Sequence, residues 1–242
     1  MVGKCVLPIA VRACDAKLMS SSVYLLSIFL GLAGGICYTL KINKSYKKSK
    51  IQLLILGLIL FVACFELYAI YLAKSGRHNR FVYNICFFYL ETFLLLGYLY
   101  AINLSKKVRL TILYFSLIYL IWGITNSLFI QDIWLTWHNY SYLMASLSIL
   151  TFCLVFIFGI TKNNKYFEQP LWSIPHFWNT SMLLIFYSSG FLYFLSLDFL
   201  TELDPKLVDI LGSFNRFVAG TMYIVLGFSY YTPLIFSTVH GK

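Results

Sequence analysis

The sequence predicts an all-α membrane protein, a polytopic bundle of seven transmembrane helices, and three observations lead there. Of the 242 residues 60% are hydrophobic and only 12% charged, whereas a soluble domain averages about half and a quarter. Seven apolar runs, each near the ~20 residues that cross a bilayer, are separated by short polar links. The lysines and arginines behind the net charge of +10 lie in those links and form no continuous basic domain, which argues for membrane orientation and against a nucleic-acid partner. Aromatic residues, 19% of the chain, suit a lipid-facing surface with interfacial belts.

Residues 1–20 stand apart. Lys4, Arg12, Asp15 and Lys17 surround a short apolar patch with no cleavage site after it, so the segment is expected to be a disordered or non-native tail. Residues 21–242 are expected to form a single seven-helix domain. Its runs are Ser22 to Leu40, Ile51 to Leu72, Phe81 to Ile102, Leu110 to Ile130, Tyr142 to Ile160, His176 to Leu197 and Leu207 to Tyr231. Short links make sequence neighbours pack antiparallel and leave no room for a soluble catalytic domain.

Each run has its own marks. The first ends at a cluster of lysines, and the second carries Glu66 flanked by Ala63, Ala69 and Ala73, small residues that let helices approach closely. In the third, Asn84, Glu91 and Tyr98 recur every seven residues and would form one polar stripe on an α-helix. The fourth holds Asn126, and the sixth holds Tyr187, Ser188, Ser189 and Gly190. Cysteines 37, 64, 86 and 153 fall inside apolar runs with no C-x-x-C pair and no histidine at ligand spacing, so neither a metal nor another cofactor is expected. The last run opens on Asp204-Pro205, an N-cap followed by proline at the first helical position, and weakens at Pro233. It contains one strong cation, Arg216, on the same side as Gly212, Gly220, Tyr223 and Gly227.

The charges predict sidedness. The first, third and fifth links and the C-terminus hold 11 Lys and Arg against 7 on the other side, which puts the N-terminus outside and the C-terminus in the cytoplasm. Depth follows from helical rise: at ~1.5 Å per residue Glu66, Glu91 and Arg216 lie about 12, 16 and 13 Å below the outer surface. A guanidinium in hydrocarbon costs from ~2.5 kcal/mol upward and is expected to be paired or in a wet cavity. Glu66, Glu91 and Arg216 are therefore expected to meet in an outward-facing polar pocket, with Asn84, Tyr98, Asn126, Tyr187, Ser188 and Ser189 around them. An Arg–Glu pair that merely fixes helix neighbours is the plainer alternative, but two carboxylates against one guanidinium leave a charge over.

Several chemistries are excluded. A retinal protein needs a lysine within its last helix, and here Lys206 sits at its end. No nucleophile elbow, Walker loop or glycine-rich nucleotide loop is present.

The patterns Phe65-Glu66-Leu67-Tyr68-Ala69-Ile70-Tyr71-Leu72, Asn84 through Glu91 to Leu94, and Phe177-Trp178 followed by Leu183-Leu184-Ile185-Phe186-Tyr187-Ser188-Ser189-Gly190 resemble those of small, uncharacterised seven-helix inner-membrane proteins of Bacteroidetes. The resemblance covers about residues 20–235. It implies the seven-helix fold and a bacterial inner (cytoplasmic) membrane. Because some of those proteins occur near sensor histidine kinases, it also implies a signalling role.

The expected function is a non-enzymatic, receptor-like sensor whose outer pocket takes a small ligand, proton or cation. Lys41, Lys44, Lys47, Lys48 and Lys50 would meet a cytoplasmic partner or anionic lipid. A proton-coupled carrier using the same charges is the second expectation and an intramembrane lipid-modifying enzyme the third. A solvated route from Glu91 to Asn179 would favour transport, and a pocket closed below Glu91 would favour sensing.

Overall fold

A computed structural model describes residues 21–41, 50–103, 105–162 and 170–236. The expected tail at residues 1–20, and Lys44, Lys47 and Lys48 of the basic link, lie outside the described residues. Every described regular element is helical, and seven helices are long and apolar enough to cross a membrane. They are α1 (Ser21–Lys41), α2 (Lys50–Lys74), α3 (Arg80–Ile102), α4 (Lys106–Ile130), α5 (Asn139–Lys162), α6 (Pro175–Leu203) and α7 (Pro205–Phe228). A 3₁₀ turn at Ser229–Tyr231 and a short helix at Thr232–Phe236 continue α7, so Pro233 is accommodated by tightening the chain rather than by ending it.

Local chemistry sets the helix ends. Asp204 caps α7 as its sequence predicts, its side chain accepting the Lys206 N–H at 2.9 Å. α6 outlasts its apolar run, ending six residues beyond Leu197, because nothing before Asp204 breaks the helix. α2 closes on Gly76, whose φ of 72° is the left-handed conformation, while Arg77 N–H bonds the Leu72 carbonyl at 3.0 Å and Gly76 N–H that of Ala73 at 3.1 Å. That is a Schellman ending, and glycine meets its geometry without strain.

The bundle closes on itself, with sequence neighbours packed together and α1 packed along α7. This first-to-last contact is backbone to backbone: a Cβ built on Gly227 would fall on the Gly31 carbonyl, and one on Gly31 on the Tyr223 carbonyl. Small residues supply such a seam in hydrocarbon, where packing rather than the hydrophobic effect drives helix association. α3 occupies the interior against α2, α4 and α5, whereas α4 turns a broad apolar face outward through Leu113, Leu117, Ile121, Ile124 and Leu128.

Two stretches depart from α geometry, one of them the last turn of α4 at Asn126–Ile130. Residues Tyr83–Glu91 of α3 form a π-helix, whose i→i+5 bonding widens each turn. Within it the Phe88 carbonyl accepts the Tyr119 O–H from α4 and the Thr92 O–H, both at 2.7 Å. The seven-residue polar stripe expected on α3 is thereby undone, since Asn84 and Glu91 no longer share one face. Each of Asn84, Glu91 and Tyr98 meets a different part of the molecule.

Candidate binding site

A cavity of about 940 Å³ runs from the end of the bundle that carries the α2–α3, α4–α5 and α6–α7 links, here called the cavity end. His78, Asn79 and Thr136 stand among these links, Asp209 lies just inside α7, Glu66, Tyr83, Tyr193, Asn215 and Arg216 line the walls, and Phe87, Phe88 and Phe186 line the interior. The volume lies at the upper end of the range for small-molecule sites.

Glu66 is held on this wall by two phenols. Tyr24 of α1 donates to Oε1 at 3.1 Å and Tyr83 of α3 donates to Oε2 at 2.8 Å. One carboxylate therefore ties three helices together, and each oxygen keeps a further lone-pair site. Tyr83 is the first residue of the π stretch.

Arg216 corrects the expected three-way pairing. Its guanidinium is exposed on the cavity wall, bonds Ser213 Oγ at 3.1 Å, and makes no ion pair among the described residues. Its charge reaches Glu66 only through space. The reason is competition: Tyr24 and Tyr83 take the near sides of Glu66, while Glu91 belongs to a different residue of α7. Tyr223, two turns beyond Arg216, donates to Glu91 Oε1 at 2.9 Å, fully buried. Glu91 does not line the cavity, and its Oε2 has no hydrogen-bond partner among the described residues.

The remaining candidates separate. Asn84 is buried and committed to the α4–α5 link, donating to the carbonyls of Ile133 at 2.8 Å and Thr136 at 2.9 Å and accepting from His138 N–H at 3.2 Å. Asn126 donates to Gln131 Oε1 at 3.0 Å and Ser141 Oγ at 2.9 Å, beside the cavity wall rather than on it. Tyr98 lies toward the opposite end, its hydroxyl 3.2 Å from His176 Nδ1. Tyr187 is buried against Tyr142, and Ser188 faces out of the bundle. Ser189 alone of the α6 group reaches the site, donating to Asn215 Oδ1 at 3.1 Å. Of the nine candidates, only Glu66 and Arg216 line the cavity.

Tyr24, Tyr83, Tyr193, Asn215 and the aromatic lining were not picked out from the sequence. Among 19 tyrosines nothing marks those that will hold a carboxylate. His138, read as a link residue, is buried with its Nδ1 2.7 Å from Tyr89 Oη. Burial lowers its pKa, which keeps the imidazole neutral and able to accept that O–H.

No protein-family model matches the chain, and neither a curated protein nor a solved structure is similar to it.

Proposed function

We propose that the chain is a receptor-like sensor of a bacterial inner membrane, akin to the small seven-helix proteins that its sequence resembles, and that its cavity binds a small polar ligand. The positive-inside rule directs the cavity end outward, because the links there carry fewer cations than those opposite. One observation carries the proposal: Arg216, a guanidinium without an ion pair among the described residues, and Glu66, a carboxylate fixed by two phenols, line the same large cavity. A purely structural Arg–Glu pair would have the two in contact. Left apart on the cavity lining, they offer charged donors and acceptors to something that enters.

A signal would leave by α3. Ligand bound at Glu66 loads Tyr83, the first residue of the π stretch, whose last residue, Glu91, is tied to α7 through Tyr223. Stretches of this kind are common at functional sites, and a change in its register would alter how α3 meets α7. The basic link from Lys41 to Lys50 would face a cytoplasmic partner or anionic lipid.

Sensing is favoured over carriage because the cavity lining stops short of Glu91 and includes neither Asn179 nor Tyr98. An enzymatic role has less support. The lining phenols that bond a carboxylate, Tyr24 and Tyr83, both hold the one residue Glu66, and the Thr136 and Thr201 side chains donate to the carbonyls of Asp132 and Leu197, so no serine or threonine among the described lining residues is shown paired with a base. The test is a screen of polar small molecules against the protein in nanodiscs, read by thermal stabilisation, followed by uptake measurements on hits in proteoliposomes. Stabilisation that disappears in Arg216→Gln or Glu66→Gln, without uptake, is expected. Uptake of the same compound would move the assignment to a carrier.

A further inference from the structure

We infer that the ligand is a zwitterion, its cationic group placed at Glu66, its carboxylate or phosphate at Arg216, and its apolar body against Phe87, Phe186 and Phe194. This rests on the proposal that the cavity is a ligand site, and it specifies which chemistry fits.

Among the described lining residues the formal charges cancel, Glu66 and Asp209 against Arg80 and Arg216. They are not equally free. Arg80 already donates to the Leu135 carbonyl, and Asp209 lies near the first turn of α7, toward the links, whereas Glu66 and Arg216 stand deeper on separate walls. Of the five N–H donors of a guanidinium, Arg216 commits one, to Ser213, and has donors left for the two-pronged contact that carboxylates and phosphates make. Glu66 has one further acceptor site per oxygen and no cationic partner among the described residues.

A singly charged ligand satisfies half of this arrangement. A plain cation at Glu66 would leave the guanidinium unpaired and repel it, and a plain anion at Arg216 would meet the carboxylate across the cavity. Once a ligand displaces solvent from the cavity, leaving one of the two charges without its partner is the costly outcome. A zwitterion satisfies both and adds no net charge. The lining between them is aromatic, and at about 940 Å³ there is room for a side chain as well as a charged backbone. Two sources share this chemistry, a free amino-acid-like molecule and the ammonium–phosphate headgroup of a phospholipid.

The experiment uses the full chain in nanodiscs of phosphatidylglycerol alone, titrated with L-phenylalanine, its methyl ester (cation only) and its N-acetyl derivative (anion only). Lysophosphatidylethanolamine is the lipid arm. At least one zwitterion is expected to bind ten or more times more tightly than the ester and the N-acetyl compound. Glu66→Gln and Arg216→Gln are each expected to weaken that zwitterion at least tenfold. If the lysolipid alone binds with this dependence, the headgroup is the source; if phenylalanine alone does, the free molecule is. Equal affinity for a singly charged probe, or a zwitterion indifferent to either substitution, overturns the inference while leaving a ligand site. Should none of the four probes bind, the inference falls, and the ligand-site proposal is then decided by the broader screen of polar molecules. If a variant does not fold, the comparison of probes on the wild-type chain still decides.

Discussion

At the scale of residues, three phenols do the work that one guanidinium was expected to do. Removing Tyr83 Oη or Tyr24 Oη leaves Glu66 with another donor, so Tyr83→Phe and Tyr24→Phe should each cost about 0.6 kcal/mol, typical of a hydrogen bond inside a membrane protein. Tyr223→Phe strips Glu91 of the one donor described for it and should cost more, ~1–3 kcal/mol. Equilibrium unfolding in mixed micelles ranks the three, and a neutral Tyr223→Phe would contradict the assignment. Arg216→Ala, by contrast, should change stability by no more than about 0.5 kcal/mol, because the side chain is exposed and makes no ion pair among the described residues. A loss above 2 kcal/mol that Glu66→Gln recovers would mean a direct pair after all. The sequence marked Glu66, Glu91 and Arg216 correctly as the charged groups within apolar runs, because charge in hydrocarbon is conspicuous. It also placed Tyr223 on the side of Arg216, and that side does meet Glu91. What it could not reveal was which neutral O–H would reach each carboxylate, since tyrosines at helix interfaces and at lipid look alike in a chain so rich in them.

At the scale of elements, the seven runs and the Asp204-Pro205 cap were legible because hydropathy and capping are local. The π stretch of α3 was not, for no pattern within an apolar run marks a widened turn, and the Tyr119 donor that reaches its Phe88 carbonyl comes from another helix. Its consequence for function is that Asn84, assigned to the pocket from a regular seven-residue repeat, instead organises the α4–α5 link. The α1–α7 seam offers an element-level test. Gly227→Val places a branched side chain on the Gly31 backbone and should destabilise by about 1–3 kcal/mol, the range for overpacking. Gly57→Ala, where a Cβ meets nothing within 4 Å, should be neutral or mildly stabilising, as replacing helical glycine by alanine usually is. Thermal unfolding of both variants in the same detergent makes the comparison, and similar behaviour of the two would count against the seam.

At the scale of the whole molecule, the proposed sidedness decides which compartment the cavity samples. A cysteine at Ser75, in the α2–α3 link, should react with a membrane-impermeant maleimide in intact cells. One at Ser105, in the α3–α4 link, should react only after permeabilisation. The reverse pattern would turn the cavity to the cytoplasm and the basic links outward. The backbone seam between α1 and α7 has a temporal consequence as well. Tyr24 stands on α1 and Arg216 on α7, so the two sides of the cavity are made nearly two hundred residues apart in synthesis. Until α7 is inserted, Gly31 presents a bare groove to lipid and Glu91 lacks its phenol. Closure of the bundle should therefore wait on α7, and chains stalled before it should be recognised and cleared by membrane quality control rather than accumulate as partly working proteins.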